Sequence, residues 1–440
     1  MSVGVVWFRR DLRLADNPAW SDATRRHRRV VPLFVVDPHL WNRCSPRRVT
    51  LLAAHLRALD ERLGDSGGRL HVVVGDPVEV VPRVVERFRA DEVFFNRDVT
   101  PYARARDSRI QARTFVHEGC FVLPPGSVTT RKGALPQTFA SFHRAWTEAE
   151  WDLWPEPGDG APTDDPGDGV PPSRWEGRAG EEAAERALRE FLGRIDRYET
   201  DRGRLDLDPT SHLSTDLKFG TLDARRLVVE ARTAGGSEFV RQVAWRDYLA
   251  HLMWFRPDLV TRSLDPRFDR IRWLDDPEAL EAWKTGHTGY PLVDAGMRQL
   301  LAEGWLPNRV RMVTASFLVK NLGIDWRLGE RWFRRHLLDG DVSQNVGNWQ
   351  WVAGIGLDRA PYFRILNPIL QSRRHDPAGR YIRRWVPELE NLPDRYVHTP
   401  WLAPEPLVRG AYPAPIVDLR ESRAAALQRY RAVLDQEVDR

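Results

Sequence analysis

Cysteine is nearly absent from this chain of 440 residues. Its two cysteines, Cys44 and Cys120, do not lie in a metal-ligand spacing, which excludes a disulfide framework and a cysteine-based zinc site. No apolar run reaches the roughly 18 residues that a membrane-spanning helix needs. The N-terminal apolar stretch is followed at once by arginines, a pattern typical of a strand and not of a signal peptide. We therefore expect a soluble, cytoplasmic protein with no metal site and no membrane contact.

The sequence also lacks a strong excess of one charge. It has 66 Lys and Arg against 62 Asp and Glu, a net charge of +4, and so small a charge does not by itself indicate an anionic partner. Hydrophobic residues make up 42% and charged residues 29%, which excludes a disordered or collagen-like chain. Tryptophan is abundant: the sequence has 18 tryptophans, far more than a hydrophobic core needs.

The first part of the chain alternates short apolar runs with amphipathic helical patterns. This alternation predicts βαβ units around a doubly wound parallel sheet of five strands, with strands at 3–8, 30–36, 70–74, 92–96 and 120–124. No G-x-G-x-x-G follows the first strand, so the usual dinucleotide fingerprint is missing. Asn17 before Pro18 predicts a helix N-cap. Ligands of such sheets bind beyond the carboxyl ends of the strands.

The second part of the chain has a different texture. Residues 151–180 are dense in Pro, Gly and Asp without any period, which is typical of a linker. Amphipathic helical patterns follow, and strand-like alternation does not return. The sequence predicts an α/β domain over 1–130, a linker over 131–180 and an all-α domain over 181–440.

Two polar segments of the helical part are candidate binding sites. Thr210, Ser211, Ser214 and Thr215 supply four hydroxyls at a predicted helix start, which suits a pyrophosphate, although an N-cap cluster is an equally good interpretation. Residues 339–351 combine carboxylates, amides and two indoles. Such a run can bind the edge of a heterocyclic cofactor by hydrogen bonds.

Several longer motifs resemble those of a known protein family. The sequence resembles the photolyase/cryptochrome family, and most of all the bacterial class I cyclobutane pyrimidine dimer (CPD) photolyases, in VVWFRRDLRLADN, TSHLSTDLKFG, WKTGHTGYPLVDAGMRQL, GWLPNRVRMVTASFLVKNLGIDWR, DGDVSQNVGNWQWVAG and PYFRILNPILQ. The resemblance implies one non-covalent FAD in the helical part, an antenna chromophore in the α/β part, and repair in which light-excited FADH⁻ donates an electron to a flipped-out dimer and recovers it.

The resemblance also implies a set of flavin-binding residues. Asn345 matches the residue that faces flavin N5, and it is an aspartate in plant-type cryptochromes, so an asparagine favours repair. The other matched positions are Tyr198, Thr210, Ser211, His212, Leu213, Ser214, Arg246, Arg311, Asp339, Gly340 and Asp341.

Tryptophans and polar residues match two further sets. Trp349, Trp326 and Trp273 match the chain that carries electrons to the flavin. Trp245, Trp351, Asn308 and Met312 match the hole that receives the lesion, as base extrusion requires, and Arg202, Arg309, Arg364 and Gln371 match or adjoin the contacts to DNA. Enzymes that repair (6-4) photoproducts carry histidines in place of Asn308 and Met312, which makes that activity the less favoured alternative.

The resemblance breaks at Gln242, where the family has a glutamate against the thymine edge. A glutamine still forms hydrogen bonds but has no acidic proton to donate, so we expect a lower yield and retained function. In the α/β part, Arg48 and Asp98 match residues that bind the deazaflavin 8-HDF, with Cys44 at an apolar contact. They favour 8-HDF over the folate MTHF.

Three functions remain open at this point. The first is a monomeric enzyme that repairs UV-damaged DNA without regard to sequence, bound to the nucleoid when at work. The second is a cryptochrome-type photoreceptor without repair activity. Gln242 favours it, but receptors commonly carry a long disordered tail and this sequence ends on a helical pattern. The third, a flavin electron-transfer protein, leaves the lesion hole unexplained.

Overall fold

The computed structural model describes residues 2–358, 364–404 and 412–435. The chain forms two compact units, the first made of Met1–Tyr198 and Ser211–Pro257 and the second of Glu199–Thr210 and Asp258–Arg440. The motif PYFRILNPILQ begins at position 361, and its first three residues lie outside the described residues. The predicted domain limits at 130 and 180 stay predictions.

A parallel sheet is the core of the first unit. Its strands are β1 (Val3–Phe8), β2 (Arg29–Val36), β3 (His71–Val74), β4 (Glu92–Asn96) and β5 (Thr114–His117), in the order β3-β2-β1-β4-β5. Val5 of β1 lies opposite Val31 of β2 and Val93 of β4. Because these strands are covered on both faces, they are rich in Val, Phe and Leu. The predicted doubly wound sheet of five parallel strands is confirmed.

One predicted strand is wrong. The run 120–124 is buried but not extended into the sheet, and the fifth strand is Thr114–His117. The amide of Leu123 donates to Asp247 Oδ2 at 3.0 Å, and the carbonyl of Val122 accepts from Arg225 Nε at 2.9 Å. Side chains of later helices thus take the hydrogen bonds that a neighbouring strand would make, and a short apolar run does not reveal this difference.

Helices cover the sheet and extend the first unit. Asn17 caps the first of them, as predicted, by accepting from the amide of Trp20 at 3.4 Å. The helices that begin in this unit are α1 (Pro18–Arg26), α2 (Pro38–Trp41), α3 (Pro46–Gly64), α4 (Pro77–Phe88), α5 (Pro101–Asp107), α6 (Phe139–Glu148), α7 (Glu181–Leu192), α8 (Tyr198–Asp201), α9 (Ser214–Phe219), α10 (Ala224–Thr233) and α11 (Ser237–Phe255).

The segment expected to be a linker contains ordered structure. Helix α6 buries Phe142 and Trp146 completely. Further on, β6 (Ala161–Pro162) pairs with the start of β2, and the amide of Thr163 donates to Val30 O at 2.9 Å. This Pro- and Gly-rich stretch therefore runs along the sheet as an added edge, which its composition does not reveal.

The second unit is helical. Helix α14 passes directly into a π-helical turn at Phe317–Asn321. The helices are α12 (Pro277–Thr285), α13 (Pro291–Glu303), α14 (Asn308–Ser316), α15 (Trp326–His336), α16 (Val342–Ala353), α17 (Pro368–His375), α18 (Arg380–Trp385), α19 (Asp394–Val397) and α20 (Leu419–Leu434). Within the described ranges, none of the helices is both long and apolar enough to span a bilayer.

Candidate functional site

The polar segment 211–214 lies in the first unit as a strained turn before α9. His212 has a φ of 53°, a backbone conformation that non-glycine residues rarely adopt. The Ser211 hydroxyl accepts from the amide of Leu213 at 3.3 Å. Arg178 fixes the turn from outside, donating to the carbonyl of His212 at 2.8 Å and to Asp216 Oδ2 at 2.6 Å. The turn is thus held in one shape, as a phosphate-binding loop must be.

Arg246 and Tyr198 are the other predicted flavin residues of the first unit. The two terminal nitrogens of Arg246 donate to the carbonyls of Cys120 and Leu217, at 3.0 and 3.1 Å. Its guanidinium lies 4.5 Å from the centre of the Phe121 ring. The run 120–124, which is no strand, therefore has a local role, because it orients this arginine. Tyr198 packs edge-on against the rings of Phe191 and Phe239.

In the second unit, Arg311 and Asp339 form a two-pronged ion pair. Arg311 Nη1 and Nη2 lie 3.1 and 2.9 Å from Asp339 Oδ1 and Oδ2, the geometry in which a guanidinium and a carboxylate bind most strongly. After Gly340, Asp341 caps α16, accepting from the amide of Gln344 at 3.2 Å. Asp339 and Asp341 thus both lie where α16 begins.

Asn345 is oriented by a residue that sequence reasoning missed. Its amide nitrogen donates to the carbonyl and to the carboxylate of Glu330, both at 2.9 Å. Glu330 is buried, which raises the pKa of its carboxyl group, and Arg334 lies 3.2 Å away on the same helix. Because the nitrogen is used, the carbonyl oxygen of Asn345 is the atom left for a ligand.

The three predicted electron-transfer tryptophans all belong to the second unit. Trp349 and Trp326 are buried, at 2% and 0% exposure, whereas Trp273 is partly exposed. A Cβ on Gly329 would come within 2.2 Å of the Trp349 ring, so only glycine lets α15 approach this indole. The indole N–H of Trp326 is buried and has no hydrogen-bond acceptor among the described residues.

Two aromatic residues outside the predicted set adjoin the ends of this series. The rings of Trp283 and Trp349 meet edge to face, with centres 6.2 Å apart. Trp273 meets the buried ring of Tyr430 in the same way at 6.4 Å.

Among the predicted lesion residues of the first unit, Trp245 stacks flat on Phe139. Their ring centres are 3.8 Å apart and their planes differ by 9°. Phe139 comes from α6, inside the predicted linker, and sequence reasoning missed it. One turn before Trp245, the amide nitrogen of Gln242 donates to Glu238 Oε1 at 2.8 Å. The carbonyl oxygen of Gln242 therefore remains for a substrate.

The predicted lesion and DNA residues of the second unit lie around α14 and α17. Asn308 Nδ2 is 3.7 Å from Met312 Sδ, which confirms that the two share a helix face. Arg309 Nη1 lies 3.4 Å from Gln371 Oε1. Trp351 has the guanidinium of Arg364 6.0 Å from its ring centre.

Arg309 belongs to a cluster of positive charges that includes an arginine missed in the sequence. Burial lowers the pKa of Arg309, and repulsion by Arg374, Arg202 and Arg364 lowers it further. Three arginines from other positions of the chain thus act electrostatically on Arg309. Such a cluster is costly without anions, and phosphates relieve the repulsion. Arg374 had no distinguishing signal in so Arg-rich a chain.

The predicted antenna residues each have partners at the carboxyl edge of the sheet. Arg48 lies in the first turn of α3, and its Nη1 is 3.7 Å from Cys44 Sγ. Asp98 follows β4 and lies 3.4 Å from Arg10 Nη1, at the end of β1. Although burial alone would raise it, attraction by Arg10 and Lys218 lowers the pKa of Asp98. Asp98 thus carries a negative charge into this edge.

An aromatic pair occupies the same edge. Asp37, which directly follows β2, accepts from the Tyr102 hydroxyl at 2.5 Å. The Tyr102 ring stacks on His39 with 4.5 Å between centres and 5° between planes. A flat surface beside charged groups suits a planar, polar ligand.

Comparisons with known proteins match both parts of the chain. The family model described as DNA photolyase matches residues 4–158, and the FAD binding domain of DNA photolyase matches residues 239–432. The deoxyribodipyrimidine photo-lyase of Streptomyces griseus is 42% identical, over 96% of this chain and 98% of its own length. That of Escherichia coli is 38% identical, over 98% and 99%. The chain belongs to the DNA photolyase family and has its FAD-binding domain.

Solved structures agree in fold over the whole chain. A class III photolyase from Agrobacterium tumefaciens has a TM-score of 0.87 at 33% identity, covering 99% of this chain and 98% of its own. A photolyase from Sulfolobus tokodaii with two FAD molecules has 0.86 at 32%, covering 98% and 100%. A Synechocystis cryptochrome has 0.88 at 28%, covering 97% and 99%.

Proposed function

We propose that this protein is a light-dependent DNA repair enzyme, a deoxyribodipyrimidine photo-lyase that splits cyclobutane pyrimidine dimers. The similarity of nearly the entire chain to curated deoxyribodipyrimidine photo-lyases, at up to 42% identity, carries this conclusion. Bound FAD in its reduced form supplies the light absorption and the electron that the reaction requires. The residues of this chain bind and orient the cofactor and the lesion and shield them from water.

The donor set of the chain fits FAD. The fixed turn at Ser211–Ser214 would hold the pyrophosphate through its amides and hydroxyls, and Thr210, the residue before it, is a further predicted contact. The Arg311–Asp339 pair, bonded at 3.1 and 2.9 Å, would hold the flavin, and its guanidinium would balance negative charge on the cofactor. Arg246, Tyr198 and Asp341 complete the set.

Asn345 controls one proton. Its nitrogen is held by Glu330, so its carbonyl oxygen accepts from an N–H at the N5 edge of the ring. A carbonyl oxygen accepts but does not take up the proton. The amide therefore holds that proton in place, and Glu330 acts as the positioning residue.

The lesion is held between flat walls and a few polar atoms. Phe139 stacks on one face of Trp245 and fixes its plane, and this partly exposed indole offers a flat wall to a flipped pyrimidine, as base extrusion requires. Trp351 supplies a second indole, and Asn308, Met312 and Gln242 supply the polar and polarisable contacts. Repair of (6-4) photoproducts is not favoured, because neither 308 nor 312 is a histidine able to donate a proton.

Electrons that reduce the cofactor pass, we infer, from Trp273 through Trp326 to Trp349. Burial of Trp326 and Trp349 keeps water away from both indoles.

DNA is gripped through its backbone. Arg202, Arg364 and the newly identified Arg374 repel Arg309, and phosphates neutralise these charges. Gln371, in contact with Arg309, orients that guanidinium. Phosphate contacts carry no sequence information, which suits an enzyme that recognises damage in any sequence. We infer that a single chain suffices, and that it works in the cytoplasm on nucleoid DNA.

An antenna chromophore lies, on this proposal, at the carboxyl edge of the sheet. Arg48 and Asp98 favour 8-HDF over MTHF, and the His39–Tyr102 stack suits a planar ring. The Sulfolobus relative, described with two FAD molecules, shows that a member of this fold can hold a second chromophore.

The decisive experiment is to illuminate thymine-dimer DNA with blue light in the presence of reduced enzyme and to follow absorbance at 260 nm. Recovery of absorbance in light and not in darkness is expected. Gln242 and the similarity to the Synechocystis cryptochrome favour the second candidate, a photoreceptor. That function predicts flavin photoreduction without recovery of absorbance.

A further inference from the structure

A fully buried carboxylate joins helix α6 to helix α11 in the first unit. Asp247 of α11 has no exposed surface, and its Oδ2 accepts from the indole N–H of Trp146 on α6 at 2.9 Å. The same oxygen accepts from the amide of Leu123 at 3.0 Å. Burial of an ionisable group is costly unless its hydrogen bonds are made, so a carboxylate at this position does more than fill space.

The two oxygens of Asp247 have different surroundings. Oδ1 has no hydrogen-bond partner within the described ranges, and Arg246 Nη1 lies 3.9 Å from it, beyond hydrogen-bond distance. Burial raises the pKa of Asp247 to about 6, against the attraction of Arg246 and the hydrogen bonds to the carboxyl group. Oδ2 alone therefore binds α6, and an amide oxygen in its place can accept the same two hydrogen bonds.

Two further contacts reinforce this connection. His251 donates from Nδ1 to the carbonyl of Asp247 at 2.9 Å, and its ring packs edge-on against Phe142 of α6 with 5.0 Å between centres. The Tyr248 hydroxyl donates to the carbonyl of Pro136, shortly before α6, at 3.1 Å. The α6 anchor consists of Asp247, Tyr248 and His251 of α11 with Phe142 and Trp146 of α6.

The other end of α6 adjoins the proposed lesion wall. Phe139 is the first residue of α6, and its ring stacks on Trp245 with 3.8 Å between centres and 9° between planes. Trp146 follows seven residues later, about 10 Å along the helix axis, so α6 is bound to α11 near both of its ends. Trp245 is partly exposed, whereas Phe142 and Trp146 are completely buried. The buried anchor thus sets the position of the helix, and the helix sets where Phe139 meets Trp245.

We propose that Asp247 and Trp146 are positioning residues for the lesion, which hold α6 so that Phe139 fixes the plane of Trp245 before DNA binds. A wall that is already ordered lowers the entropy lost when a flipped base stacks on it. Undamaged DNA keeps its bases paired and does not use this wall, so the α6 anchor contributes to the preference for dimer DNA. The proposal rests on the proposed function for the role of Trp245.

The test compares four variants with wild type in the dark. Trp146→Phe removes the N–H donor and keeps a buried ring, Asp247→Ala removes the acceptor, and Asp247→Asn keeps it. Trp20→Phe is the matched control, because Trp20 is a buried tryptophan of α1 in the same unit. Fluorescence anisotropy gives the affinity for dimer-containing and undamaged duplexes. Hydrogen–deuterium exchange of residues 135–149 reports how firmly α6 is held.

We expect Trp146→Phe and Asp247→Ala to bind dimer DNA about two- to tenfold more weakly than wild type, the range for loss of one hydrogen bond. Their affinity for undamaged DNA should not change, and exchange in α6 should be faster. Asp247→Asn should behave as wild type in all three measurements. Under light, Trp146→Phe should repair at the wild-type rate once dimer DNA is saturating. The change then falls on KM and not on kcat, which general destabilisation of the fold does not produce.

Three results overturn the proposal. The first is an unchanged affinity of Trp146→Phe for dimer DNA, whatever the exchange in α6. The second is an equal loss in Trp20→Phe, because the loss then reflects general destabilisation. The third is an Asp247→Asn variant as weak as Asp247→Ala, since the accepting oxygen is then not what holds α6.

Failure of repair is a separate outcome. A wild-type protein that prefers dimer DNA but never restores absorbance at 260 nm refutes repair and leaves the α6 anchor standing. A wild-type protein with no preference for dimer DNA refutes both proposals.

Discussion

Gln242→Glu tests the lesion side of the site most directly. The amide of Gln242 donates to Glu238 Oε1 at 2.8 Å, so a glutamate there brings two carboxyl groups together. Two negative charges about 4 Å apart repel by roughly 1 kcal/mol in water and 4 kcal/mol near a protein surface. The pair therefore keeps one proton to a higher pH than a lone carboxyl group, because a hydrogen bond then replaces the repulsion.

The sign of the effect follows from that proton. At pH 6 the variant offers a carboxylic acid that stabilises the electron gained by the dimer, and one improved hydrogen bond contributes about 1 kcal/mol. We expect a modest increase in repair per absorbed photon at pH 6. As the pH rises to 9, the pair becomes fully ionised, repels the transferred electron, and the advantage disappears.

The assay is the repair quantum yield at saturating dimer DNA, with fully reduced protein, between pH 6 and 9. A Glu238→Gln/Gln242→Glu variant is the matched control. It lacks the repulsion, so its advantage should vanish at a lower pH. A Gln242→Glu yield that equals or falls below that of wild type at every pH refutes the reasoning, and Gln242 is then adapted to its own surroundings.

Three further predictions concern other parts of the site. Asp339→Ala with Asp341→Ala should yield largely flavin-free protein, measured by flavin absorbance. The control Asp341→Asn should retain flavin, because it keeps the side-chain oxygen that caps the helix and contributes about 1 kcal/mol. Full flavin content in the alanine double variant would remove both residues from the cofactor site. Trp273→Phe should block photoreduction by external donors but leave repair by chemically reduced protein intact, and photoreduction at the wild-type rate means another electron path. Arg309→Ala should weaken binding to damaged and undamaged DNA alike and lower the salt slope by about one, while a loss confined to damaged DNA makes Arg309 a lesion contact.

The local sequence pattern predicted those elements correctly whose structure depends mainly on their own residues. The runs at 3–8 and 92–96 became β1 and β4 with the predicted bounds, and Asn17 caps α1. The strand predicted at 120–124 was wrong. An apolar, buried run can be a strand or a turn, and here its backbone forms hydrogen bonds with the side chains of Asp247 and Arg225.

The sequence predicted some residues of the candidate site and missed others. Asp339, Asp341 and Asn345 lie in one short motif, so the sequence alone grouped them, and the structure places this motif at the start of α16. Glu330, Phe139 and Arg374 carry no such signal. They act through contacts with residues distant in the chain, and only the folded backbone brings them to those partners.

The sequence by itself therefore determined the family, the parallel sheet and the helical second part, and it supplied most of the residues that we propose for flavin and DNA. These follow from periodicity and long motifs, which are local. The tertiary structure alone decided the orientation of the Asn345 amide by Glu330, the stacking of Trp245 on Phe139, and the pairing of Gln242 with Glu238. Hydrogen bonds and ring stacking depend on distances of a few ångströms, and packing sets those distances.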